Sequence, residues 1–228
     1  MRFLLTNDDG IDAPGLAALE SAARRLGPTL TVAPVAPCSS CGHQITTTRP
    51  VRLHSHDEGR FSVEGWPADC VRVALRGLAE RVDWVLAGIN AGGNLGADVY
   101  VSGTVAAVRE AALLGTPGIA LSHYKRRELD FDWPRAAGWV LRLLPELLAR
   151  PCPPGAFWNV NLPHLRPGDA EPAVVECPLD SRPLPVAFRR EGDTFVYAGD
   201  YHSRPRDAGA DVEACFGGRI AVSLLRLG

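Results

Sequence analysis

The chain has 228 residues, 46% of them apolar, and carries 24 Lys plus Arg against 26 Asp plus Glu, a formal net charge of −2. That length builds a packed core unaided, and the balanced charge excludes a nucleic-acid duplex or an anionic membrane as a partner held by bulk electrostatics. No basic segment runs into an apolar stretch after Met1, and no window approaches the ~20 apolar residues that cross a bilayer, so a cytoplasmic protein acting on a small molecule is expected.

Residues 3–7 (FLLTN) read as a buried parallel strand, and 13–27 (APGLAALESAARRLG) as an amphipathic helix with Pro14 in its first turn and Gly27 as its stop. Residues 29–34 (TLTVAP) close a βαβ unit. A loop rich in Pro, Ser and Cys (35–46) leads to the β-prone 46–54 and a short strand at 60–65, and 67–80 has helical spacing. Residues 83–90 (DWVLAGIN) form a strong apolar strand, 103–115 a helix opened by Ser102-Gly103-Thr104, and 117–122 the next strand. Strand and helix alternate as in a doubly wound parallel sheet, so the expected class is α/β with a Rossmann-like, three-layer core.

A further helix spans 134–150, and 157–163 (FWNVNLP) is again strand-like. Beyond it, 174–180, 194–199 and 219–227 read as β segments joined by Pro-, Gly- and Arg-rich turns, with no further amphipathic helix. The whole is read as one domain, 1–125 as catalytic core and 126–228 as helix plus C-terminal β extension, an antiparallel addition or dimerisation arm. The six scattered cysteines are expected to be reduced. Cys38 and Cys41 form a CxxC pair, but His43 is the only nearby further zinc ligand.

In an open parallel sheet functional groups collect at the carboxyl ends of strands. That rule selects Asp8 and Asp9 after the first strand, the Ser39–Ser40 loop after the second, Asn90 and Asn94 after a later one, and Ser102-Gly103-Thr104 at a helix start. Carboxylates, amides and hydroxyls are hard ligands that suit Mg²⁺ or Mn²⁺ better than zinc. Both aspartates reach one ion only if the chain turns at once, which Gly10 permits. The Gly-rich 88–96 followed by the helix start reads as an anion site, although neither a Walker motif nor GxGxxG is present. A cation beside a phosphate site points to phosphoryl chemistry.

These same segments, MRFLLTNDDGIDAPG, PADCV, the run from DWVLAGIN to GIALS, and NVNLP, resemble the SurE family of stationary-phase survival proteins. The resemblance is close over 1–125 and looser beyond. It implies a divalent-metal-dependent 5′/3′-nucleotidase acting on nucleoside monophosphates, with one Mg²⁺ or Mn²⁺ per subunit on Asp8, Asp9, Ser39 and Asn90. It further implies phosphate contacts at Asn94, Ser102, Gly103 and Thr104, an Asp as base or nucleophile, and a C-terminal extension exchanged within homodimers or homotetramers. The chain departs from the family in the second loop, where APVAPCSSCGHQIT replaces a basic APDRNRSG pattern and Ser40 stands where glycine is usual, so either serine is a candidate ligand. Two alternatives follow: a catalytically weak or silent nucleotide-binding protein with an altered loop, and a receiver-like phospho-acceptor. The second lacks the further Asp it needs after a middle strand, where Asn90 stands.

Overall fold

In the computed structural model, which describes residues 1–227, the apolar runs of the sequence lie side by side. In chain order the strands are β1 Phe3–Thr6, β2 Thr29–Pro34, β3 Leu53–Asp57, β4 Arg60–Val63, β5 Trp84–Asn90, β6 Gly118–His123, β7 Ala156–Leu162, β8 Val174–Glu176, β9 Phe188–Glu191, β10 Thr194–Tyr197 and β11 Ile220–Arg226. The α-helices are α1 Pro14–Ala23, α2 Pro67–Val73, α3 Gly103–Leu113, α4 Trp133–Ala149 and α5 Asp211–Phe216. Nine strands form one sheet in the order β3-β4-β2-β1-β5-β6-β7-β11-β8. The run from β4 to β7 is parallel throughout; β3 and β11 add antiparallel to its two edges.

Residues that alternate along a strand face opposite sides, and both sides of this sheet are covered. Phe3, Leu5, Leu86 and Leu121 pack with Leu16 and Leu19 of α1 and Trp139, Leu143 and Leu144 of α4. Leu4, Val85, Ala87 and Ala120 pack instead with Val71 of α2 and Val105, Val108 and Ala111 of α3. The result is the three-layer α/β architecture that the alternation of elements predicts.

Three expectations need correction. The stretch 67–80 is α-helical only through Val73, with a wider π turn over Ala74–Leu78. A helix does follow α4: the six residues of α5 are too few for periodicity to register, and this helix is held by Asp211, whose carboxylate accepts the N–H groups of Gly96, Asp180 and Val212. The charged FRRE segment is a strand as well. As β9 it pairs antiparallel with β10 in a separate hairpin whose strand residues are all exposed, Phe188, Phe195 and Tyr197 included. All six cysteines are free.

Candidate active site

The carboxyl ends of β1, β2 and β5 and the start of α3 enclose a cleft of about 230 Å³ lined by Asp8, Asp9, Ser39, Ser40, Asn90, Asn94, Asp98 and Ser102, among others. The sequence-selected residues thus converge, except that Gly103 and Thr104 do not line the cleft and stand behind its wall. After β1 the chain turns through Gly10 at φ +98°, a left-handed value that favours glycine, and the Asn7 amide donates to the Gly10 carbonyl (2.8 Å). Asp8 is buried and its Oδ1 accepts the Thr104 hydroxyl at 2.5 Å. Asp9 is half-buried and its Oδ2 accepts the Ala91 N–H at 3.0 Å.

Burial pushes the Asp8 carboxyl up to about 6; the Thr104 hydrogen bond opposes the shift and the Asp9 charge adds to it. Asp9 is also raised by burial, against the pull of the Ala91 N–H. Two carboxyls that resist ionisation at one cleft would ionise more readily beside a cation. The Asp8 carboxyl is also favoured in its ionised form by the backbone N–H groups of Asp8 and Thr104, whereas among the described residues Asp9 accepts a hydrogen bond only at Oδ2 and keeps Oδ1 as a free acceptor. Asn90 has the same character, since its Nδ2 donates to the Gly92 carbonyl (2.8 Å) and leaves Oδ1 as an acceptor. A register shift between Ala87 and Asn90 in the β5–β6 pairing sets that residue at the cleft edge. This oxygen donor set fits a hard divalent cation. Among the described residues no three His, Cys, Asp or Glu side chains gather as in a zinc centre.

Ser102 caps α3: its Oγ accepts the Val105 N–H (3.1 Å), which leaves the hydroxyl proton to be donated elsewhere. The helical ladder begins with the Ala106 N–H on the Ser102 carbonyl, so the Gly103 and Thr104 N–H groups precede it. Gly103 is required by space: a Cβ there would lie 2.7 Å from Cys41 Sγ and 2.8 Å from Asp8 Cβ. The Thr104 hydroxyl, assigned to phosphate by resemblance, is in this structure bonded to Asp8 and fully buried.

The second-strand loop is pinned although its serines are exposed. The Cys38 N–H donates to the Asp8 carbonyl (2.7 Å) and the Gly42 N–H to the Val101 carbonyl (2.9 Å). Farther along, His43 bonds to Glu110 at 2.8 Å, and Thr46 donates twice to Asp69 of the PADCV segment. Ser40 has φ +55°, a left-handed backbone for a residue with a Cβ. The Cys41 thiol is pushed up to about 11 by burial and by the nearby Asp8 charge.

Several supporting residues escape a sequence reading. Asn94 is clamped on three sides: its N–H donates to Asn161 Oδ1 (2.7 Å), its carbonyl accepts from Asn159 (2.9 Å) and Asn161 (3.0 Å), and its own amide donates to Ser122 Oγ (2.7 Å). The available signal was two asparagines at i and i+2 in an otherwise apolar strand, which places them on one face. Asp98 accepts from the Tyr201 hydroxyl (2.6 Å) and the wholly buried Arg204 (3.1 Å), both supplied by the C-terminal segment. No local pattern links residues so far apart.

A parallel sheet with carboxyl, amide and hydroxyl side chains and a helix N-terminus gathered at its carboxyl edge defines an α/β protein with a polar cleft at its strand ends. The profile of the family described as Survival protein SurE matches residues 3–179. The chain belongs to that family. It is 51% identical over 227 residues, the full length of both chains, to a protein of Nostoc sp. named as a candidate 5′-nucleotidase. It is 43% identical over 202 residues to a 5′-nucleotidase SurE of Rhizorhabdus wittichii, covering 86% of this chain and 76% of that one. The crystal structure of the SurE protein from Aquifex aeolicus superposes with a TM-score of 0.88 at 32% identity, over 100% of this chain and 94% of the other. Among the described residues no helix is long and apolar enough to cross a membrane.

Proposed function

We propose that the chain is a nucleotidase that hydrolyses the phosphomonoester of nucleoside 5′- and 3′-monophosphates to nucleoside and phosphate. The observation that carries the reading is the convergence in one cleft of Asp8, Asp9 and Asn90, the last two each with an oxygen left over, beside the start of α3. The names of the relatives support the nucleotidase class. Asp8, Asp9, Asn90 and Ser39 would hold Mg²⁺ or Mn²⁺; such an ion supplies neutralisation of phosphoryl charge and acidifies a water.

The rest is the work of the chain. Asn94 and Ser102, which line the cleft at the start of α3, orient the phosphate where the helix dipole favours an anion, and Gly103 and Thr104 back that wall. Asp9, the less buried carboxyl, accepts the proton of the attacking water, while Asp8 is fixed by Thr104. The pinned second-strand loop favours this hydrolytic reading over a silent nucleotide-binding protein, because the altered sequence does not detach Ser39 and Ser40 from the cleft. The exposed apolar hairpin β9–β10 supports a homodimer or homotetramer in which that arm packs on a second copy.

Phosphate release from AMP, GMP and a chromogenic phosphoester, each with Mg²⁺, Mn²⁺ or EDTA, tests the reading. Turnover that survives EDTA undiminished, or an Asp9→Ala variant as active as the parent, overturns it.

A further inference from the structure

Beside the cleft lies a second cavity of about 350 Å³, lined by Tyr124, Arg126, Arg127, Glu128, Asp200, His202, Arg206 and Phe216. Three arginines and a histidine meet there in a chain whose net charge is −2. The cavity adjoins the cleft along two elements. Ser122, which bonds to Asn94 in the cleft, is two residues before Tyr124, which directly follows β6. Tyr201, which bonds to Asp98 of the cleft, is followed at once by His202, whose Nδ1 is 2.9 Å from the Tyr124 hydroxyl.

The aromatic wall is stacked and the charges are loosely engaged. Tyr124 stacks on Phe216 with ring centroids 4.2 Å apart, and Arg206 covers Phe216 at 4.6 Å. Arg126 meets Glu128 only at 3.9 Å, and Arg127 meets Asp200 at 3.5 Å. Exposed pairs of this kind are weak, so an incoming dianion that offers short, charge-assisted hydrogen bonds displaces the carboxylates at small cost.

We propose that this pocket is a second anion subsite that takes the remote phosphate of a substrate carrying two, a nucleoside 3′,5′-bisphosphate being the class that fits two adjoining phosphate sites. The proposal rests on the nucleotidase reading for the reacting phosphate, but its binding arm does not. Wild-type protein and the Arg126→Ala/Arg127→Ala double variant, in which a half-buried and an exposed side chain of the loop after β6 are truncated, are assayed with AMP and with adenosine 3′,5′-bisphosphate at fixed Mn²⁺. Calorimetry on metal-free protein measures binding of the bisphosphate and of pyrophosphate.

The wild type is expected to favour the bisphosphate by about tenfold in kcat/KM, the net gain of charge-assisted contacts over the carboxylate pairs that they displace. The double variant loses that advantage while AMP turnover stays unchanged, and Glu128→Gln, which frees Arg126, increases it. Equal kcat/KM for both substrates in the wild type overturns the proposal, as does a loss in the double variant common to both. Arginine-dependent binding of pyrophosphate without any advantage for the bisphosphate also overturns it, and marks the pocket as a site for an independent anion. If no substrate is hydrolysed, arginine-dependent binding of the bisphosphate still sustains the subsite, and its absence removes it.

Discussion

The two banks of the cleft are built on different principles. On one, Asp8, Asn94, Ser102 and Thr104 are buried and each side chain is fixed by a hydrogen bond, that of Ser102 within its own helix cap and the others to a neighbouring element. On the other, Ser39 and Ser40 are exposed, and the loop that carries them is held by its flanks, through the Cys38 and Gly42 N–H groups and, farther along, His43 and Thr46. The buried bank has one geometry available to it. The exposed bank keeps its path while its side chains stay free to vary, which is where this sequence departs from its family's pattern.

The sharpest way to break that comparison is to remove one ligand from each bank. Asp8→Asn takes away a charge that no neighbour replaces, and phosphate release from AMP is expected to fall by about three orders of magnitude. Ser39→Ala removes a neutral ligand from an adaptable loop and is expected to weaken Mn²⁺ by about tenfold. A larger loss in Ser39→Ala than in Asp8→Asn would mean that the loop, not the sheet, organises the site.

Gly103→Ala tests how tightly the buried bank is packed. The added methyl would meet Cys41 Sγ at 2.7 Å and Asp8 Cβ at 2.8 Å. Overpacking of this kind costs about 2 kcal/mol, readable as a lower urea midpoint, and displaces Asp8, so Mn²⁺ affinity should fall with stability. If stability falls but Mn²⁺ affinity does not, Asp8 is less constrained than its hydrogen bond to Thr104 implies.

How far the sequence reveals this site follows the same division. Asp8, Asp9, Asn90 and Ser102 sit where strands end and a helix starts, so local pattern plus the strand-end rule suffices to place them together. Asn159 and Asn161 were visible only as an oddity of an apolar strand, because what they clamp, Asn94, lies some 65 residues away. Tyr201 and Arg204 gave no signal, since Asp98 selects them through tertiary contact. The parallel sheet was legible because each strand is buried on both faces and reads as a continuous apolar run. Strand β9 was not, because every residue of FRRE is exposed and no hydrophobic period exists to be read.

A change of pH acts on the buried bank through Asp8. With its carboxyl pushed up to about 6, Asp8 is protonated in the folded metal-free protein where the same group in the unfolded chain is ionised. The sign follows: in EDTA this group's contribution to stability is complete below the ordinary carboxylate range and is lost as pH rises through 6. A cation needs the ionised form, so Mn²⁺ affinity should drop by about tenfold per pH unit below 6 and level off above it. Thermal melts with and without Mn²⁺ between pH 5 and pH 8 should therefore diverge as pH rises. Parallel curves would remove Asp8 from the metal site.

The smallest effect belongs to the exposed bank and bears on its own puzzle. Ser40 holds φ +55°, a conformation that costs a residue with a Cβ about 1 kcal/mol relative to glycine. Glycine in turn loses more chain entropy on folding, about 0.5–1 kcal/mol, so Ser40→Gly should leave stability unchanged or raise it by less than 1 kcal/mol in urea unfolding. Mn²⁺ affinity should be untouched if Ser39 is the ligand, because the backbone path needs only the left-handed turn. A loss of Mn²⁺ affinity with stability preserved would transfer the ligand role to the Ser40 hydroxyl, and would explain why this chain keeps a strained serine at a turn better suited to glycine.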